Sequence, residues 1–126
     1  MQKIFLMIGL LCSFSTFAQQ SDTEAIVKAF KTADANEIAK YFDEYIDLKF
    51  LDKDEVKNMG RNQANMALKA FFVENGINGF DKGSDREIGN TLYITGKLNS
   101  TGKAYNVTVM LKAKAGKHQI ITMRIN

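Results

Sequence analysis

A double change of hydrophobic period constrains this chain more than any other feature. From Gly60 to Asn75 the apolar residues Ala64, Ala67, Leu68, Phe71 and Phe72 recur at the i, i+3, i+4, i+7, i+8 spacing of one helix face. On both sides the period drops to two, the spacing of a half-buried strand. Before the helix, Ile46, Leu48 and Phe50 alternate with Tyr45, Asp47 and Lys49. After it, Leu92, Ile94 and Leu98 share one face of a segment over 91–99, and Val107, Val109 and Leu111 share one face of 105–113. In the last segment, 118–125, strict alternation puts Ile121, Met123 and Ile125 together. The turns Ser100-Thr101-Gly102 and Ala115-Gly116-Lys117 are too short to carry a crossover. These three strands therefore form an antiparallel meander. Weaker patterns over 56–59 and 80–88 allow further strands.

The ends of the helices are also written locally. Asn75-Gly76 closes the main helix, with glycine suited to the left-handed position after the C-cap. Gly60 as N-cap puts Gln63 at the capping-box position. Upstream, Ser21-x-x-Glu24 and Asp34-x-x-Glu37 are two capping boxes, followed by Ile26, Val27, Phe30 and by Ile38, Ala39, Phe42. Two caps so close together predict two short helices joined by a bend. Helices on one face of an antiparallel sheet make an α+β domain.

The first residues are read separately. Lys3, the apolar run Ile4 to Leu11, and Thr16-Phe17-Ala18 have the order of a cleavable secretory signal. The expectation is a signal peptide over 1–18, cleavage near Ala18, and one domain over 19–126, exported to the periplasm or beyond. The apolar run is too short to anchor in a bilayer. Cys12 admits a lipoprotein reading, which Leu11 before it opposes. Cys12 is the only cysteine, so the processed chain would hold no disulfide or thiolate ligand. The whole chain carries 17 basic and 14 acidic residues, interspersed. That balance argues against a nucleic-acid stripe. Lys97, Lys103, Lys112, Lys114 and Lys117 read as a solvated sheet edge, where lysine deters pairing.

The segments Tyr41-Phe42-Asp43, Ile46-Asp47-Leu48, Leu51-Asp52-Lys53 and Gln63 through Phe72 resemble an uncharacterised family of small exported proteins found mainly in Bacteroidota. Tyr105-Asn106-Val107 and Met123-Arg124-Ile125 extend the resemblance. It implies a nuclear-transport-factor-two-like (cystatin-like) fold, a cone-like curved sheet packed on a long helix. It implies no activity. Members of that superfamily often hold a pocket at the wide end of the cone. Some, such as ketosteroid isomerase, are enzymes, and many only bind or dimerise. Fold alone does not choose between these.

Two readings of function stay open. One is a non-enzymatic interaction module, with a homodimer through the outer sheet face. Tyr93, Met110, Ile120 and Arg124 are its interface candidates, because these types are enriched at interfaces. The bland alternative is an ordinary solvated face. The other is a small-molecule enzyme or carrier with a cone pocket, using Tyr41, Asp43 and Tyr45 as pocket groups. Ketosteroid-isomerase chemistry, a worked case of pKa tuning, needs an Asp base with a Tyr and a protonated Asp as oxyanion donors. The resemblance would put a key Tyr on the first helix, which here has none, and Asp47 alternates away from the apolar face. Catalytic residues are therefore not assigned. His118, alone at a loop edge, reads as solvated and lacks partners for a metal. No phosphate-binding loop or nucleophile elbow occurs. No metal or cofactor is expected, and no stable membrane anchor. Asn99-Ser100-Thr101 and Asn106-Val107-Thr108 match a glycosylation pattern by chance.

Overall fold

This computed structural model describes residues 22–126. The signal segment, Cys12 and the Ser21 cap lie outside the described residues. A helix over residues 22–31 (α1) is followed by α2 (Ala35–Ala39), β1 (Phe42–Phe50), β2 (Val56–Gly60), α3 (Arg61–Glu74), β3 (Gly79–Ile88), β4 (Thr91–Ser100), β5 (Lys103–Lys114) and β6 (Lys117–Ile125).

The bend between α1 and α2 follows from its residues. Ala33 takes a left-handed φ of 52°, which reverses the chain at the end of α1. Asp34 then caps α2, its carboxylate accepting the Glu37 N–H at 3.2 Å. Only half of the expected capping box forms, because the Glu37 carboxylate turns to Lys40 instead, at 2.8 Å. At α3 the N-cap is Gly60, which offers no side chain to the helix. The C-terminus is as expected: Asn75 is the C-cap and Gly76 sits at φ 60°.

The six strands of the described residues form one sheet in the order β2-β1-β6-β5-β4-β3. Neighbours run antiparallel except β1 and β6, which are parallel. The expectation of a purely antiparallel sheet is corrected at that pair. Parallel neighbours need a long crossover, and β2, α3 and the meander lie between them. The pairing also makes β2 and β3 the edges. The five lysines from Lys97 to Lys117 lie on β4, β5 and β6, inside the sheet order, and do not line an edge as the sequence suggested.

A bulge in β6 overturns one assignment of faces. Met110 pairs with Thr122 but Leu111 pairs with Ile120, so Ile121 is the extra residue. Strict alternation ends there. Ile120 turns inward and is fully buried, opposite Phe42, while Ile121 is half-buried. Ile120 is therefore corrected from an outward residue to a core residue.

The core fills the space between the helices and the inner face of the sheet. Phe50 stacks on Phe71 at 4.9 Å between ring centres, and Tyr105 meets Phe71 edge-on at 5.9 Å. Phe30 from α1 rests on Phe80 of β3 at 5.2 Å. The Phe80 ring crosses Gly96, where any Cβ would collide with it.

Candidate functional site

Two surfaces hold the residues singled out in the sequence. The first is the outer face of the sheet. Register places Tyr93 beside Met110, Met110 beside Thr122, and Thr122 beside Asp47. Thr95, Thr108 and Arg124 form the next row. Tyr93, Met110 and Thr122 are half-buried, whereas Lys97, Lys112 and Arg124 around them are exposed. Arg124 is tied down by Glu55 at 3.0 Å. An uncharged row therefore crosses three adjacent strands, with charges of both signs at its margin.

The second surface is the rim where α1, β1, α3 and β6 begin. Asp43 and Glu44 face a depression of about 580 Å³ shared with Gly60, Arg61, Asn62, Gln63 and Gln119. A neighbouring depression of about 410 Å³ takes in Asp22, Lys40, Tyr41, Arg61, Lys117, His118 and Gln119. Tyr41 and Asp43 are thus near one another, on either side of Arg61 and Gln119. Tyr45 is 58% exposed and lies opposite Gly60 on the β1–β2 pair.

Some charges at this rim are paired. Lys114 Nζ lies 2.8 Å from Asp43 Oδ2. That hydrogen bond, helped by the Glu44 N–H, holds the Asp43 carboxyl below its usual range. A carboxylate held ionised in this way is a weak base, which makes Asp43 poorly suited to proton abstraction. His118 differs from its sequence reading. Its side chain is only 19% exposed and sits between two carboxylates, with Nδ1 3.7 Å from Asp22 and Nε2 4.0 Å from Glu87. The His118 N–H also donates to Asp22 Oδ2 at 3.4 Å. Asp22 and His118 are 96 positions apart, so no local pattern announces the pair. No local pattern announces Arg61 or Gln119 at this rim either.

Phe30, Phe42, Leu68, Phe71 and Phe72 are all buried between helix and sheet, and no buried polar or charged residue occurs among the described residues. These five side chains belong to the core between helix and sheet, the region where the carrier reading put its pocket. Among the described residues no three side chains converge as metal ligands, and no helix is long and apolar enough to cross a membrane.

A family model described as a domain of unknown function (DUF4783) matches residues 23–126. No curated protein matches the chain. Among solved structures, a DUF4783 family protein from Bacteroides ovatus is similar, with a TM-score of 0.72 and 24% identity over 80% of this chain and 90% of that one. A DUF4783 family protein from Bacteroides uniformis gives a TM-score of 0.75 at 21% identity, covering 82% and 94%. An NTF2-like protein of unknown function from Cytophaga hutchinsonii gives 0.59 at 12% identity, covering 86% and 88%. At these identities the likeness establishes the nuclear-transport-factor-two-like fold alone.

Proposed function

This chain belongs to the DUF4783 family, a domain of unknown function, and from that premise we propose that it is an exported, non-enzymatic interaction module that pairs with a second copy through the outer face of its sheet. One observation carries the reading. The row Tyr93, Met110 and Thr122 is uncharged, spans three neighbouring strands and is bordered by charged residues, Lys97, Lys112 and Arg124 along its sides and Asp47 at its β1 end. An apolar and aromatic centre with a polar rim is how protein interfaces are built. Two copies related by a two-fold axis would set this row against itself, with the cations at the margin in water. Tyr93, Met110 and Arg124 are the interface residues. Ile120, buried beneath them, has no part in the contact.

The non-enzymatic half of the reading rests on Asp43, whose carboxylate is engaged by Lys114 and so is a poor base. Export rests on the order of charged, apolar and small residues over 1–18. Sedimentation of the protein purified from an exporting host tests the pairing. The expected result is self-association at tens of micromolar that Met110→Lys weakens by removing the face contact. A wild-type monomer at that concentration sinks the reading.

A further inference from the structure

Among the described residues, strand β3 has a neighbour on one side only, β4, and ends the sheet order. From Asp81 to Ile88 every one of its residues is exposed. A free edge of this length is a template for another strand. Its charges alternate in sign: Asp81, Lys82, Asp85, Arg86 and Glu87. Halfway along lies Gly83, where the pairing with β4 slips, Lys82 facing Gly96 and Ser84 facing Thr95.

We propose that β3 pairs antiparallel with β3 of a second copy, about a two-fold axis through the Gly83–Ser84 peptide, so that two sheets join edge to edge. This contact goes beyond the face contact above and uses different residues. Its warrant is charge complementarity in one register. The axis sets Asp81 against Arg86 of the second copy, and Lys82 against Asp85 of the second copy. Both pairs occur twice by symmetry.

The bulge makes that register allowed. In a regular strand, positions an odd number apart project to opposite faces, so they cannot be opposed across such an axis. The extra residue Gly83 shifts the parity. Asp81 and Arg86 then both project from the outer face, since they pair with Lys97 and Tyr93. Lys82 and Asp85 both project from the inner face, where they already bridge within one chain at 2.6 Å. Across the axis that bridge becomes a ring of four alternating charges.

Other registers are opposed. Centring the axis on Asp85 sets that residue against its own copy, and centring it on Arg86 sets Asp85 against Glu87. Like charges directly opposite destabilise a strand pair. Edge charges usually deter pairing altogether. Here they oppose like charges when the axis is centred on Asp85 or Arg86 and match unlike ones when it is centred on Gly83–Ser84. Asp81 is oriented by Asn99, whose Nδ2 donates to it at 2.9 Å, while Arg86 makes no ion pair among the described residues.

The test is a mixing experiment with two variants, Arg86→Glu and Asp81→Arg. Both are made in a Met110→Lys background, which removes the face contact, and the background protein is the reference. Each variant alone opposes like charges twice. Mixed one to one, they oppose unlike charges at both places. Association is followed by energy transfer between labelled chains, with circular dichroism confirming that each variant is folded. Each variant alone should weaken self-association by about tenfold or more. The mixture should return to within about threefold of the reference. Recovery on mixing cannot come from a repaired fold, because neither chain changes. The proposal is overturned if the reference does not self-associate, if the variants associate as well as it does, or if mixing restores nothing. Association that only Met110→Lys abolishes assigns the contact to the face and overturns the edge.

Discussion

Lys114 at the end of β5 holds Asp43 at the start of β1 across the intervening strand β6, Nζ to Oδ2 at 2.8 Å. The pair joins residues 71 positions apart and ties the first strand to the meander. Asp43 is well shielded and Lys114 is nearly half exposed, so the bond lies at the boundary of solvent.

This bond makes stability depend on pH in a defined direction. The Lys114 hydrogen bond, then the Glu44 N–H, lower the Asp43 pKa in the folded state below the ordinary 3.8. A group with a depressed folded pKa adds stability above its unfolded value and loses it as pH falls through the folded one. Lys114→Ala should cost ~0.5–1 kcal/mol near neutral pH, as for a partly exposed pair. The difference from wild type should shrink towards zero once the solution is more acidic than the folded Asp43 pKa. Urea unfolding of both proteins across the acid range checks this. A difference independent of pH would assign the loss to packing by the lysine stem.

Gly96→Ala should be costly although φ at Gly96 is ordinary. The added Cβ would strike the Phe80 ring and the Asp81 carbonyl. The backbone oxygen cannot swing aside as a side-chain tip could. The expected loss is ~1–3 kcal/mol, the usual range for overpacking. Phe80→Leu should recover part of it in the double variant, because the two sites touch. Denaturant midpoints of the single and double variants measure the coupling. Strict additivity would place the strain at Asp81 alone.

Phe71→Ala should be among the most damaging core substitutions. Phe71 touches the rings of Phe50, Phe72 and Tyr105, so truncation leaves a hole bounded by three side chains that cannot all collapse into it. The expected cost is ~3–5 kcal/mol, a large part of the ~5–15 kcal/mol that holds a domain together. Thermal unfolding by circular dichroism reads it. Near-ultraviolet dichroism should also fall, because Tyr105 loses its edge contact. Val73→Ala, on the exposed side of the same helix, should change stability far less.

Much of this architecture is legible in residue order, and the reasons are local. The Leu68, Phe71, Phe72 stripe, the Asp34 cap, the Asn75-Gly76 stop and the alternation in β4 and β5 each rest on residues within one or two turns. Short-range sterics and hydrogen bonds decide them before any long-range contact forms. The three-strand meander follows because turns of that length admit only antiparallel neighbours. Tyr93 and Met110 could be assigned to the outer face for the same reason.

Other features depend on which strand lies beside which. The bulge at Ile121 arises where β6 must match β5 on one side and β1 on the other, and it moves Ile120 from the surface to the core. The parallel β1–β6 pair makes β3 an edge and puts the lysines of β4 to β6 inside the sheet. The same closure brings His118 between Asp22 and Glu87 and sets Arg61 beside Asp43. Periodicity along the chain fixes a face but carries no information about the neighbour on that face. Local order therefore determined the elements, their caps and the fold class. Tertiary pairing decided the edges, the burial of Ile120 and which side chains share the outer face and the rim.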